Sequence, residues 1–359
     1  MAVTSSGAKV MHVLSSLRVG GAERFVLDLS NIQKDSGDQV MIFACSSEET
    51  PLKEEAEKTG LQCLLTSGSR WADYKTVWGF FREGRGNKVI HIHSPFGIRF
   101  FLPLLPVFRL LGISLIYTRH GIAPLASHKW RLIHRWARPF VSYVSFVSDA
   151  GKNVFAKTHG WSDSVLSTIS NGVYVPKHVE KIASDKIRLG SVGRMVKLKA
   201  QKDLIQTVAC LDDVLKEKVE IHFFGDGPES PALQEQAKQL SEGQAIFHGM
   251  ELDRDKVFGQ IDILVVCSEQ EGLSLAIMEA MARNIPVIAT RVGDSPKLVI
   301  DDQTGFLYDY ADISQLNNHV VSLIKQPELR TRLGQQARQH MVEHFSLEHA
   351  NAQYQACYH

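Results

Sequence analysis

Glu271-Gly-Leu-Ser-Leu-Ala-Ile-Met-Glu279-Ala-Met-Ala-Arg-Asn-Ile-Pro286 follows an apolar run over residues 262–267, and the two together read as strand, loop and helix. The run is short and rich in Ile and Val, the pattern of a strand covered on both faces. The spacing predicts a helix over 273–284, stopped before Pro286. Glu279 stands there among Leu275, Ala276, Ile277, Met278, Ala280, Met281 and Ala282, so every helix face near it is apolar. Its carboxylate is expected to be buried, which is costly unless hydroxyl or N–H donors reach it, and the hydroxyls of a ribose are good donors. Glu271 precedes the helix, where the free amides of Gly272, Leu273 and Ser274 are expected to point at an anion or a polar ligand.

The same alternation runs through the rest of the 359 residues. Strand-like runs are expected at 9–14, 39–45, 88–93, 113–119, 141–147 and 165–170, then at 187–192, 219–224, 245–248, 262–267, 287–290 and 305–308. Short β-branched runs separated by helix-length segments imply parallel sheets with helical crossovers, and the length suits two such sheets. The expected class is α/β, with two doubly wound Rossmann-like domains facing across a cleft. Ligands of open parallel sheets bind beyond the carboxyl ends of the strands, so the chemistry is sought there. The expected division is 1–180, 181–344 and a last helical segment, 345–359.

Composition narrows the class. Hydrophobic residues at 44% exclude a mainly disordered chain. Five scattered cysteines, odd in number and never spaced C-x-x-C, fit reduced thiols, hence an expected cytoplasmic location without a disulfide framework or zinc knuckle. The run at 9–14 is too short for a signal sequence, and 100–118 is broken by Pro103, Pro106, Arg109 and Gly112 before it reaches spanning length. Charge is uneven: residues 1–180 carry 21 Lys+Arg against 14 Asp+Glu, the remainder 19 against 25. Between Glu83 and Asp149 there is no acid, while nine basic residues from Arg85 to Arg138 alternate with aromatics such as Phe100, Trp130 and Trp136. Residues 85–140 are therefore expected either to touch an anionic membrane from its inner face or to form a solvated basic surface.

Other strand ends carry chemistry. Gly193-Arg194-Met-Val-Lys197-Leu-Lys199-Ala200 follows 187–192, and Arg194 with Lys199 offers a fork and a point charge for a diphosphate. Gly20 and Gly21 follow the first strand and let backbone amides approach a phosphate or sugar. Neither they nor Phe224-Gly-Asp-Gly-Pro228 have the G-x-G-x-x-G spacing, which disfavours a nicotinamide enzyme. His120 ends the strand at 113–119. His91 and His93 share a strand face without an evident third metal ligand, and the lone Asp253-Arg-Asp255 precedes a helix, so no metal site is expected.

Glu271 with Glu279, Arg194 with Lys199, Gly20-Gly21-Ala-Glu, the Phe224-Gly-Asp-Gly-Pro turn and the tail from Phe345 to Tyr354 together resemble retaining glycosyltransferases of family 4, of the kind that build bacterial surface polysaccharide or lipopolysaccharide. The resemblance implies the GT-B fold, with a C-terminal helix crossing back to the N-terminal domain. It implies a nucleotide diphosphate sugar as donor, with uridine favoured over guanosine, and a glycan or lipid-linked acceptor rather than a nucleic acid. Carried onto these positions, Glu279 takes the ribose hydroxyls, Glu271 the hexose hydroxyls, and the amides of Gly272 to Leu275 the sugar and phosphates. Arg194 and Lys199 take the diphosphate, Gly20 and Gly21 approach the donor, His120 lies beside the reacting carbon, and Gly249-Met250 contacts the base. Two positions depart from the family pattern: Lys297 replaces an acid after Gly293, and Ala200 replaces the glycine after Lys199.

The implied reaction needs no metal or other cofactor, because side-chain cations stabilise the leaving diphosphate. Nucleotide-sugar epimerases and phosphorylases share the fold, and a non-catalytic glycan- or lipid-binding protein is a further alternative.

Overall fold

Lys9-Val-Met-His-Val-Leu14 is buried along its whole length, as expected of a strand with neighbours on both sides and helices on both faces. In the computed structural model, which describes residues 7–82, 86–178, 180–241 and 243–358, this strand lies inside a seven-stranded sheet. The strands of that sheet are β1 (Lys9–Leu14), β2 (Gln39–Ala44), β3 (Gln62–Leu65), β4 (Lys88–Ile92), β5 (Ile113–Arg119), β6 (Tyr143–Phe146) and β7 (Leu166–Thr168). They pair in the order β3-β2-β1-β4-β5-β6-β7, all parallel. Strand order reverses between β1 and β4, the switch point of a doubly wound sheet. β3 was not among the expected strands. It is four residues long, lies at the sheet edge and reads Gln-Cys-Leu-Leu, so neither length nor β-branching marks it.

A second sheet comprises β8 (Ile187–Val192), β9 (Val219–Phe224), β10 (Ala245–Gly249), β11 (Ile263–Val266), β12 (Val287–Thr290) and β13 (Gly305–Tyr308). Its order is β10-β9-β8-β11-β12-β13, again all parallel, with the switch point between β8 and β11. Both faces are covered. Leu189, Ile221, Phe223, Val265 and Ile288 pack on one side. Leu264, Val287, Ala289 and Leu307 pack on the other against Ile277, Met278 and Met281. That double burial is why these strands read as nearly continuous apolar runs.

Chain contacts divide the protein into two compact units, Met1–Gly172 with Leu347–His359, and Val173–Ser346. The last helix, Leu347–Tyr358, therefore belongs to the N-terminal unit, where Tyr354 and Tyr358 are fully buried and Gln355 Nε2 donates to Asp38. The first switch of unit falls at Gly172, ahead of residue 180.

The helix after β11 is shorter than its hydrophobic pattern. It spans Leu275–Met281, with Ser274 as the residue before its first turn. Its end is set by Asn284, which takes the left-handed conformation at φ 59° while the Ile285 amide closes back on the Ala280 carbonyl at 3.1 Å. Gly334 accommodates that turn, since a Cβ there would stand 2.1 Å from the Asn284 carbonyl oxygen. Among the described residues no helix is long and apolar enough to cross a membrane. Arg85, the first of the nine basic residues, lies outside the described residues.

Candidate active site

The second sheet's switch point holds a pocket at the carboxyl ends of β8 and β11, lined by Ser191, Lys199, Gln201, Ser268, Glu271 and Ser274 among others. Parallel strands splay where the crossovers leave in opposite directions, and the loops there must supply their own polar partners. Lys199 and Glu271 supply each other's. Lys199 Nζ stands 2.5 Å from Glu271 Oε1, which also accepts from Ser268 Oγ at 2.8 Å. The Glu271 side chain is 9% exposed and that of Lys199 27%, so the carboxylate is fixed while the ammonium keeps a path to the pocket. The other carboxylate oxygen and the ammonium remain able to take up hydroxyl or phosphate groups.

Backbone lacing holds these loops. The amide of Glu269 donates to the Leu198 carbonyl at 2.8 Å, joining the loop after β11 to the loop after β8. Thr290 Oγ1 donates to the Ser268 carbonyl at 2.7 Å. Two glycines allow closer approaches than any side chain would permit. A Cβ on Gly225 would lie 2.1 Å from the Gly193 carbonyl oxygen, and one on Gly293, where φ is 55°, would lie 1.9 Å from the Glu271 carbonyl oxygen. The Phe224-Gly-Asp-Gly-Pro turn thus packs against the loop that carries Arg194, and Gly293 underlies Glu271.

Arg194 itself is exposed and makes no ion pair among the described residues. It is not on the pocket wall, so the expected cationic pair is realised in the wall by Lys199 alone. Glu279 is buried, as its apolar neighbours required, with its side chain 11% exposed. A partner that sequence reasoning missed stands beside it: Arg254 Nη1, 3.5 Å from Oε1. Arg254 opens the helix Arg254–Gly259, whose first turn is capped by Asp253 Oδ1 accepting from the amides of Asp255 and Lys256. Asp255 pairs in turn with Arg283 at 2.8 Å. Both acids of the Asp253-Arg-Asp255 tripeptide therefore serve the helix and its neighbour.

Gly272, Leu273 and Leu275 flank the pocket residue Ser274 along the chain. Gly249 ends β10 at φ 69°, its carbonyl accepting from the Gly225 amide at 2.7 Å, and Met250 beyond it is 60% exposed. Lys297, which stands where the family pattern has an acid, lies 3.2 Å from the buried carboxylate of Asp294. Ala200, in the place of a glycine, is held left-handed at φ 46°.

In the N-terminal unit, helix Gly21–Asp35 begins at Gly20, with Gly21 as its first residue. The Glu23 carboxylate folds back over this end, so that a Cβ on Gly20 would meet Glu23 Oε2 at 2.5 Å. That acid occupies the first turn, where sequence reasoning had placed only a ligand. His120 follows β5, with Nε2 3.1 Å from His93 Nδ1. Burial lowers its pKa to about 4, against the opposing pull of Asn171.

Two family models divide the chain between them. Residues 19–175 match Glycosyltransferase Family 4, and residues 176–340 match Glycosyl transferases group 1. The chain belongs to glycosyltransferase family 4. Its two parallel-sheet units have the GT-B fold, seen over nearly the whole length of Anabaena Alr3699/HepE in complex with UDP-glucose. That structure matches at a TM-score of 0.79 and 19% identity, covering 97% of this chain and 98% of the other. Among curated relatives, N-acetyl-alpha-D-glucosaminyl L-malate synthase of Bacillus anthracis is 30% identical over 176 residues, which is 49% of this chain and 45% of that protein. The lipopolysaccharide core biosynthesis glycosyltransferase LpsE of Rhizobium meliloti is 30% identical over 159 residues, 44% and 45% of the two chains. The family 4 chain thus spans about half the length of the curated relatives it matches.

Proposed function

We propose that this protein transfers a hexose from a UDP-linked sugar, with retention and without a metal ion, to a glycan or lipid-linked acceptor of a surface polysaccharide or lipopolysaccharide. The observation that carries the reading is the Lys199–Glu271 pair in the wall of a switch-point pocket. An acid fixed by Ser268 and Lys199 can orient sugar hydroxyls, and a partly exposed ammonium can hold a phosphate. The uridine and the polysaccharide context are supported by relatives and structural neighbours whose names include UDP-glucose and lipopolysaccharide core biosynthesis.

The chemistry follows from charge. As the anomeric C–O bond breaks, its electron pair moves onto the diphosphate and the sugar gains oxocarbenium character. Lys199, joined by the exposed Arg194, stabilises that growing charge more in the transition state than in the bound donor. Glu279 takes the ribose hydroxyls, with Arg254 Nη1 beside its carboxylate. The amides of Gly272 to Leu275 meet the sugar and phosphates, Gly249 and Met250 the base, and Gly20, Gly21 and His120 serve from the N-terminal unit. The acceptor hydroxyl attacks the face that the phosphate leaves, and the departing phosphate takes its proton.

A thermal-shift series against UDP, GDP and their glucose conjugates, followed by donor hydrolysis in excess chelator, tests this. UDP at one hundred times its Kd should stabilise the native state by about 2.7 kcal/mol. A shift with GDP alone, or hydrolysis that chelator abolishes and magnesium restores, would overturn the base or the metal-free scheme. The basic, aromatic region 85–140 we assign to peripheral contact with an anionic membrane, supported by Leu110, Phe96 and Trp136 standing exposed beside its arginines.

A further inference from the structure

Tyr117 and Arg119 stand two apart on β5, so they share the sheet face that carries the N-terminal core, where Phe155 packs. Arg119 is 6% exposed, and its guanidinium lies over the Phe155 ring, 5.7 Å from the centroid. A buried cation is costly unless an anion is set against it. Here none is. Among the described residues Arg119 makes no ion pair, and the chain carries no acid between Glu83 and Asp149. Its polar partners are neutral. Nη2 donates to the Ala123 carbonyl at 2.5 Å, and burial raises the neighbouring Tyr117 hydroxyl to about 12 against the pull of a hydrogen bond with Arg119. Nη1 completes no well-aligned bond of its own.

Two histidines extend the cluster. His134 Nδ1 donates to the Trp130 carbonyl at 2.8 Å, which in a neutral ring leaves Nε2 bare; that atom is buried and has no partner. His159, whose ring centroid is 4.3 Å from that of His134, donates from Nε2 to the Pro124 carbonyl at 3.2 Å. Burial lowers the pKa of both rings, that of His134 to about 4. Every charged group that acts on either ring is basic: Arg119 on both, Arg131 on His159, and His159 on His134. The cluster is a pocket of positive charge without a counter-charge.

The loop at 121–127 supplies what the cluster lacks only in part. Among the described residues, 121–126 make no backbone-to-backbone hydrogen bond. Their Ala123 and Pro124 carbonyls are held by Arg119 and His159. Leu125 sits at φ 49°, where a side chain is strained, so the loop gives way at little cost. A guanidinium fork and an imidazole N–H are donors suited to phosphoryl oxygens, and a carbonyl oxygen occupies each in the absence of one. Phe96, 54% exposed, packs edge-on against Trp130 at 5.8 Å and sets apolar surface beside the helix that carries His134.

We propose that Arg119 and His159 form a binding site for a phosphate group of the acceptor, whose oxygens take the two donors that the Ala123 and Pro124 carbonyls now hold. The loop at 121–127 is displaced as the phosphate enters. Assigning the phosphate to the acceptor rests on the glycosyl-transfer reading; the anion site is a property of the N-terminal unit alone.

The test measures binding of inorganic pyrophosphate, farnesyl diphosphate and farnesol to the full chain by calorimetry, with UDP present throughout. Pyrophosphate should bind. Arg119→Met and Arg119→Gln should weaken it by about tenfold or more, while Lys199→Ala should leave it within about twofold. Farnesyl diphosphate binding more tightly than pyrophosphate, with farnesol inert, assigns the phosphate to a lipid-linked acceptor; equal affinity assigns it to a phosphate borne by a soluble acceptor. Urea unfolding without anion gives a second reading. Met fills the space of the arginine without a buried charge, so Arg119→Met should have a midpoint no lower than that of the unaltered protein. A large drop in that midpoint would mark Arg119 as a structural pin for the loop and overturn the proposal. Failure of pyrophosphate to bind, or binding that Arg119→Met leaves intact, overturns it too. Absence of UDP-glucose hydrolysis alongside the stated pyrophosphate binding overturns the glycosyl-transfer reading and leaves the anion site standing.

Discussion

Replacing Lys199 by Ala separates a structural from a catalytic role for the one ammonium in the pocket wall. A phosphate oxygen about 4 Å from Nζ at an effective dielectric near 20 interacts by about 4 kcal/mol. Glu271, 2.5 Å from the same ammonium, opposes part of that field. The share that grows only as charge moves onto the leaving diphosphate is therefore taken as about half, near 2 kcal/mol, or roughly thirtyfold in turnover. Stability should fall as well, by about 1–2 kcal/mol, because Glu271 keeps Ser268 but loses its counter-charge in a mostly covered position. Adding Glu271→Gln removes the uncompensated charge and should recover that stability without recovering turnover. Arg194→Ala is the control: an exposed side chain with no ion pair among the described residues can be deleted with no change in melting midpoint, yet should show a similar loss of turnover. Donor hydrolysis and urea unfolding on the three variants and the unaltered protein supply both readings. Turnover of Lys199→Ala within threefold of the unaltered protein would refute the charge argument.

Two further outcomes follow from local structure. Ala200→Gly should raise the unfolding free energy measured in urea, by up to about 1 kcal/mol, because Ala200 is held at φ 46° where a Cβ is strained; loss of its buried methyl sets the upper limit. Vesicles containing anionic lipid should bind the protein more tightly than neutral ones, with the difference shrinking as salt rises, and no preference between the two would remove the membrane assignment.

The two-sheet architecture was legible in the sequence because strands buried on both faces must be apolar throughout, and eleven of the runs from Lys9–Leu14 to Gly305–Tyr308 overlap strands of four residues or more. Glu279 was legible for a related reason: an acid amid seven apolar helix neighbours has nowhere to go but inside. Glu271 and Lys199 could be named as reactive types at strand ends. Their pairing could not, since they are 72 residues apart and meet only because β8 and β11 are adjacent.

What the chain order alone determined was the alternation of strand and helix, the burial of Glu279 and the polar residues at strand ends, because these depend on local periodicity and on the cost of desolvating charge. The tertiary structure alone decided which distant groups share a proton or a charge. Arg254 reaches Glu279 through a helix on another crossover, Asp253 is spent on a helix cap, and Gly293 matters because the Glu271 backbone passes 1.9 Å from where its Cβ would be. His12, Gln33, His93 and Tyr358 carry no motif, and they form one network because parallel register and the returning C-terminal helix bring them onto one sheet face. Directional hydrogen bonds between side chains far apart in the chain leave no periodic trace in it, whereas burial does.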